Sequence, residues 1–270
     1  MTLQDTQRGT ELAGQVALVT GGSRGIGKAI ALGLAGHGAD VVICGRDVAS
    51  LDATSTQISA TGASCLTVQA DVSRPKDLQT LMERVTAWRG QLNILVNNAV
   101  TSTSATFADL TDDDFRYHID VKLMAYIRLC RLALPLMEQN GAGRIVNIGG
   151  MSARITAPLR LTNGVVNAGV ANFTKQFATP AARANVTVNC VHPGYTATER
   201  VEQIFVREAR ETGATVDEVR AARTRDIPLG RLVSPDDLAA AVLFFCSPAA
   251  GMITGQCIAV DGGSGTAINY

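Results

Sequence analysis

Short β-branched runs alternate with longer stretches of mixed polarity from residue 16 to residue 260. Seven runs stand out as strands: "VALVT" (16–20), "DVVIC" (40–44), "CLTVQ" (65–69), "NILVN" (93–97), "RIVNI" (144–148), "VTVNCV" (186–191) and "CIAV" (257–260). Their near-continuous apolar character predicts burial on both faces, the mark of a parallel sheet. Helix start signals recur between them. Pro75 sits near a first turn in "RPKDLQTLMERVTAW", acidic residues open "TDDDFRYHIDVKLMAYIRLCRLALPLM", and Ser234 precedes Pro235 in "SPDDLAAAVLFFC". This rhythm predicts an α/β, Rossmann-type, doubly wound, seven-stranded parallel sheet with helices on both faces. Neither a repeat nor a linker divides the chain, so one domain is expected over residues 1–270.

One region leaves the rhythm. Residues 196–233 are helical and charge-rich, and an insertion placed late in an open α/β sheet often covers the crevice at the strand ends. It is a candidate substrate lid, in competition with a solvated pair of surface helices.

Composition narrows the partners. Lys+Arg number 24 and Asp+Glu 24, so no net field recruits polyanions and nucleic acid is not expected. The expected partner is a small molecule. No apolar run reaches the ~18 residues that span a bilayer, and the start "MTLQDTQRGTELAGQ" lacks an apolar signal region, so no membrane association is expected and the cytoplasm is the expected location. The six cysteines, Cys44, Cys65, Cys130, Cys190, Cys246 and Cys257, show no CxxC pairing and no His at metal-ligand spacing. They read as reduced core thiols, with no metal site.

"VALVTGGSRGIGKAIALGLAGHG" runs strand, tight turn, helix. Gly21, Gly25 and Gly27 let the backbone turn and approach a pyrophosphate, whose charge the helix N-terminus stabilises. Ser23, Arg24 and Ile26 complete this candidate dinucleotide loop; a purely structural turn is the alternative. A carboxylate at the end of the second strand would bind the ribose 2′-hydroxyl of NAD, but Gly45 and Arg46 stand there. Arg46 and Arg24 suit a 2′-phosphate, which favours NADP over NAD. Asp47 either caps the next helix or competes for the ribose.

Together, "TGGSRGIG" (20–27), "ADV" (70–72), "NNA" (97–99), "HPGYTAT" (192–198) and "VDGG" (260–263) resemble the short-chain dehydrogenase/reductase superfamily, with all motifs in order over about residues 12–265. The resemblance implies that Asp71 and Val72 lie at the adenine and Asn98 near the nicotinamide ribose. It also implies that Pro193, Gly194 and Thr198 lie beside the nicotinamide amide, and that the chain is a homodimer or homotetramer assembled through the helices at 111–138 and 162–182. On the second of these, Val166, Val170, Phe173 and Phe177 fit a core stripe or an interface.

The family pattern also has a Ser after the fifth strand, a Tyr thirteen residues later, a Lys four beyond, and an Asn in the preceding long helix. There the lysine lowers the tyrosine's pKa so that it exchanges protons near neutrality. In register with "AGVANFTKQF", this chain has Gly150, Asn163, Asn167 and Lys122 at those places, and Val100 where the Gly of "NNAG" is usual. An amide polarises a carbonyl but does not exchange protons at useful pH. Lys122 is therefore the candidate replacement cation, with Asn163, Asn167 and the phenol of Tyr195 as further candidate catalytic groups. Asn163 and Thr162 are alternatively N-caps, and Asn167 a backbone partner. Ser152, two residues after Gly150, is expected to point elsewhere; Tyr117, Tyr126, His118 and His192 read as packing residues, and Arg154 and Arg160 as solvated charges or anchors for an acidic substrate.

Three functions compete. The first is an NADP(H)-dependent oxidoreductase moving hydride to or from a small carbonyl, alcohol or enone through a non-standard active site. The second is a non-redox lyase, dehydratase or cyclase on the same fold. The third is a catalytically silent NADP-binding protein.

Overall fold

The computed structural model describes residues 10–267. Seven strands form one parallel sheet in the order β3-β2-β1-β4-β5-β6-β7. Along the chain the elements are β1 (Val16–Thr20), α1 (Gly25–Gly36), β2 (Asp40–Gly45), α2 (Val48–Ala60), β3 (Cys65–Gln69), α3 (Pro75–Arg89), β4 (Ile94–Asn97), α4 (Asp112–His118), α5 (Ala125–Gln139), β5 (Gly143–Ile148), α6 (Leu161–Ala182), β6 (Val186–Pro193), α7 (Glu199–Thr212), α8 (Val216–Arg225), α9 (Pro235–Cys246) and β7 (Cys257–Val260).

The expected strands are present, three of them with the same bounds. Alternate side chains feed two cores. Val16 and Leu18 of β1 face the layer built by α3, α5 and α6, while Ala17 and Val19 face α1, α2 and α9. Every residue of β1 is buried, which is why it carries no polar alternation. Each fully buried Leu or Ile contributes about 1.5–3 kcal/mol of transfer free energy, and Leu34, Leu78, Leu81 and Leu238 are all at 0% exposure.

Helix ends follow local chemistry. Asp47 accepts from Ser50 N–H at 3.0 Å and caps α2, so this carboxylate is committed to the helix. Ser234 and Asp237 form a reciprocal capping box on α9, and Thr111 and Asp114 form one on α4.

The long helix expected over 111–137 is interrupted. Residues Ile119–Met124 form a π-turn between α4 and α5, and Lys122 lies within it. One extra residue per turn is accommodated there, which rotates the following side chains relative to a continuous α-helix.

Residues 196–233 leave the sheet and return to the same place. Thr196 and Val233 form an isolated parallel bridge, with Ala197 N–H donating to Val233 O at 2.8 Å and Val233 N–H to Tyr195 O at 2.9 Å. Between these ends α7 and α8 share a small core of Phe205, Ala209 and Val219. Arg220–Glu202 at 2.6 Å and Arg223–Glu208 at 2.7 Å tie the two helices together. The excursion is thus more than a solvated helix pair, since it has an interior of its own.

Candidate functional site

The sheet reverses direction of growth between β1 and β4, so their carboxyl ends open a crevice. Gly21, at φ 63°, turns the chain out of β1, and α1 begins at Gly25, at φ 54°. A side-chain carbon on Gly27 would stand 2.2 Å from Gly21 O and 2.4 Å from Asn98 Nδ2. Only glycine fits this close crossing of helix and turn. Arg24 is the N-cap residue of α1 but makes no capping hydrogen bond through its side chain, so the first N–H groups of the helix face the crevice uncapped. That cradle fits a pyrophosphate.

The residues expected at the adenosine end follow β2 and β3. Ser23 Oγ stands 3.4 Å from where a Gly45 Cβ would be, and Ser23 O accepts from Thr54 Oγ1 at 2.9 Å. Arg46 is exposed, with Nη1 donating to Tyr117 Oη at 3.4 Å. Asp71 accepts from Ser73 N–H at 3.0 Å and Ser73 Oγ at 2.7 Å. Burial opposes its charge, but these bonds together with Arg46 and Arg74 hold its carboxyl below the usual range. Val72 is buried beside it, and Ile26 packs partly into the α1 side of the core.

Asn98 stands at the end of β4 with its amide committed to the turn: Nδ2 donates to Thr20 O at 2.9 Å and Gly21 O at 3.2 Å, and its backbone N–H to Thr20 Oγ1 at 2.9 Å. It braces the glycine loop. Thr198 caps α7, accepting from Val201 N–H at 3.4 Å, and its methyl stands 3.5 Å from the Cβ position of Gly25. Pro193 ends β6, and a Cβ on Gly194 would meet Asp261 Cα at 2.8 Å. The two ends of the crevice are therefore within contact of each other.

Past β5 the chain passes through Gly149 and Gly150. Lys122 is 3% exposed, and its Nζ donates to Gly149 O at 2.8 Å. Burial lowers its pKa from 10.5 to about 7; the Cys190 thiol opposes this and the Arg200 charge adds to it. Asn167 Nδ2 donates to Ser152 Oγ at 2.9 Å, leaving buried Asn167 Oδ1 without a partner. Asn163 Oδ1 accepts from Ser102 Oγ at 3.2 Å, and its Nδ2 donates to Thr101 O at 3.3 Å. Arg160 is the N-cap residue of α6, so Thr162 and Asn163 lie inside the first turn and cap nothing. Ser152, read from sequence as pointing elsewhere, is brought into the cluster by its short 3-10 turn over Met151–Ala153.

Tyr195 has a packing role in the excursion. Its ring packs on Phe205, with centroids 6.2 Å apart, and under the Arg223 guanidinium at 5.9 Å. Phe205 of α7 holds the partly buried aromatic side chain against the small core of the excursion. Tyr126 is also structural, its hydroxyl lying 3.2 Å from Ala99 O and 3.1 Å from Ile148 O. His118 Nε2 lies 3.0 Å from Thr103 Oγ1, and burial lowers its pKa. Arg154 Nη2 donates to Cys257 O, so it supports the sheet edge rather than standing solvated. Arg200 Nη2 donates to Val100 O at 3.4 Å, joining the start of α7 to the loop after β4.

Val166 and Val170 are buried in the core, whereas Phe173 and Phe177 stack 5.2 Å apart and are only partly covered. None of the described helices is long and apolar enough to cross a membrane.

A crossover sheet with a glycine cradle at its reversal point defines a dinucleotide-binding enzyme fold. A family profile described as enoyl-(acyl carrier protein) reductase matches residues 21–265, and the chain belongs to that family within the short-chain dehydrogenase/reductase superfamily. It is 32% identical over 252 residues to the NADPH-dependent reductase BacG of Bacillus subtilis, covering 93% of this chain and 97% of that protein. It is 34% identical over 256 residues to a 3-oxoacyl-[acyl-carrier-protein] reductase of Synechocystis, covering 94% and 98%. Among solved structures, L-sorbose reductase from Gluconobacter frateurii, complexed with NADPH and L-sorbose, superposes with a TM-score of 0.92 at 30% identity, covering 97% and 100%.

Proposed function

We propose that the chain is an NADP(H)-dependent oxidoreductase that moves hydride to or from a small carbonyl, alcohol or enone, with Lys122 as its proton-exchanging group. The observation that carries this reading is the buried Nζ of Lys122, bound to Gly149 O and tuned to about 7, in an otherwise intact nucleotide-binding frame. NADPH-dependent and NADPH-bound relatives support the same cofactor. So does Arg46 at the end of β2, where the carboxylate of the next residue, Asp47, is held by its own helix.

The cofactor supplies the hydride. The uncapped N-terminus of α1 and the Gly21–Gly27 cradle hold the pyrophosphate; Arg46 and Arg24 hold the 2′-phosphate. Asp71 and Val72 flank the adenine, and Pro193, Gly194 and Thr198 line the nicotinamide end. Asn167 Oδ1, an acceptor with no partner, takes a hydroxyl of the nicotinamide ribose or of substrate.

At the reacting oxygen, Ser152 keeps its own proton to donate, because its Oγ accepts from Asn167. Asn163 holds the loop at Thr101 and Ser102 and offers its remaining N–H to a carbonyl. Lys122 restores the proton. With a pKa near 7 it is present in both forms at neutral pH, the condition under which general acid–base catalysis is most effective, typically ~10²- to 10⁴-fold. The family's usual serine, tyrosine and lysine are thus replaced by a different donor set. Residues 196–233 act as the lid, tethered by Arg200 to the loop after β4. The half-covered Phe173–Phe177 stack on α6 supports association into a dimer or tetramer through that helix.

The test is direct titration with NADPH and NADH, followed by turnover of NADPH over a carbonyl and enone panel. Tight NADPH binding with turnover lost in Lys122→Met supports the assignment. Failure to bind either nucleotide refutes it, and substrate conversion without any nucleotide would establish the non-redox alternative.

A further inference from the structure

Six cysteines are free, but their surroundings differ sharply. Cys44, Cys130 and Cys246 are buried in apolar core, where desolvation pushes each thiol up to about 12. Cys65 is half-buried, and burial raises it as well. Those four are inert packing thiols.

Cys190 and Cys257 are another case. They are 67 residues apart in sequence but directly opposed in the register of β6 and β7, so their side chains leave the sheet on the same face. His192, two residues along β6, shares that face. The two sulfurs and an imidazole nitrogen lie within 4.8 Å of one another. Gly149 makes room for the group: a side-chain carbon there would stand 2.5 Å from His192 Nδ1 and 3.0 Å from Cys190 Sγ.

Three such ligands first suggest a soft metal ion. The histidine argues otherwise. Its Nδ1 accepts the N–H of Gly150 at 3.0 Å, so in a neutral imidazole the proton sits on Nε2, the nitrogen 3.9 Å from Cys190 Sγ. A metal on Nε2 would require that proton to move to Nδ1, against the Gly150 N–H. Nε2–H is instead placed to donate to sulfur. Around the pair, the Cys190 thiol and then His192 and Arg154 favour a charged Cys257 and hold it well below an ordinary thiol, while Cys190 itself is pushed up. Lys122 is the other cation facing Cys190. Cys257 Sγ also lies 3.9 Å from Ala171 O, a contact that would accept a thiol proton only weakly.

We propose that Cys257 and Cys190 form an oxidation site for hydroperoxides, in which Cys257 is the attacking sulfur and Cys190 the resolving one. The Cys257 thiolate attacks one peroxide oxygen, the O–O bond breaks, and Cys257 becomes a sulfenic acid while hydroxide leaves. That hydroxide takes the Cys190 proton and departs as water. The Cys190 thiolate then attacks the Cys257 sulfur, forming the S–S bond and expelling hydroxide. Overall, two thiol sulfurs are oxidised and one peroxide is reduced. The two sulfurs already lie within 4.8 Å of each other on register partners of adjacent strands, so they have only to approach to form a bond about 2.05 Å long. Because His192 joins this pair to Gly150 by one hydrogen bond, the bridge forms directly behind the loop that carries Ser152.

The experiment is peptide mapping of the full-length protein after brief hydroperoxide treatment and alkylation. The expected product is a Cys190–Cys257 cross-linked peptide, reversed by dithiothreitol, with Cys65 still alkylated as the internal control. Cys190→Ser should instead trap a Cys257 sulfenic acid that reacts with a dimedone probe, and Cys257→Ser should leave Cys190 reduced. Equal oxidation of Cys65, or both sulfurs remaining alkylatable, would overturn the proposal. So would stoichiometric zinc in native mass spectrometry that shields both thiols. The wild-type map decides the matter even if a variant fails to fold.

Discussion

A side-chain carbon placed on Gly150 would lie 2.5 Å from Asn167 Nδ2, so the missing side chain of one residue is filled by the amide of the other. Gly150 and Asn167 are therefore a sterically coupled pair. Gly150→Ser forces the Asn167 amide to rotate and give up its 2.9 Å bond to Ser152 Oγ. Losing one such hydrogen bond costs about 0.5–1.5 kcal/mol. The expected result is a lowered denaturation midpoint for Gly150→Ser, largely recovered in Gly150→Ser/Asn167→Ala. A strictly additive double mutant would show that the two residues do not compete for this space.

The cradle makes a sharper demand. At Gly27 the obstructing atom is a backbone oxygen, Gly21 O at 2.2 Å, which no rotamer change can move. Gly27→Ala should separate the start of α1 from the turn, destabilise the fold by about 1–3 kcal/mol and abolish detectable nucleotide binding. Calorimetric titration beside thermal unfolding measures both, and wild-type NADPH affinity in a folded Gly27→Ala protein would count against the site.

Arg46 tests the choice of cofactor. Its exposed guanidinium is the positive group at the end of β2, with a 3.4 Å contact to Tyr117 Oη and the Asp71 charge nearby. A charge-assisted bond to a 2′-phosphate is worth about 1.5–3 kcal/mol. Arg46→Ala should thus raise the Kd for NADPH by roughly 10- to 100-fold while leaving NADH binding nearly unchanged. Equal losses for the two nucleotides would assign Arg46 to something other than the phosphate.

How much of this was legible in sequence depends on whether the signal was local. The strands were legible because apolar runs such as Val16–Thr20 and Cys257–Val260 are bounded by polar or glycine-rich turns, although Cys257–Val260, at the sheet edge, is only half-buried rather than covered on both faces. The glycine cradle was legible because strand, turn and helix are contiguous. The π-turn around Lys122 was not, since a single widened turn leaves the apolar pattern of 111–137 nearly intact. Nor was the turning of Tyr195 toward Phe205, ten residues further along, because a proline–glycine–tyrosine sequence does not report which core will accept the ring. The Cys190, His192 and Cys257 group arises from strand order, bringing together residues that no ligand spacing would join.

Lys122 gives a prediction whose sign is fixed by burial. Its folded pKa, about 7, lies below the ordinary lysine value of 10.5. Between those two values the unfolded chain binds the proton more strongly than the folded one, so stability rises as pH increases through this window. Below about pH 7 both states are protonated, and the full penalty for burying the ammonium is present. Lys122→Met should therefore raise stability near neutral pH, by an amount on the order of a few kcal/mol, and flatten the slope between pH 7 and 10.5. With Lys122 in its proposed role, carbonyl reduction would draw on the protonated amine, so its kcat/KM should fall as pH rises through about 7, while alcohol oxidation should rise over the same range. Denaturant titrations and rate profiles at several pH values separate the two roles. A more stable but inactive Lys122→Met protein is the expected outcome, and full activity with an unchanged pH profile would remove Lys122 from the chemistry.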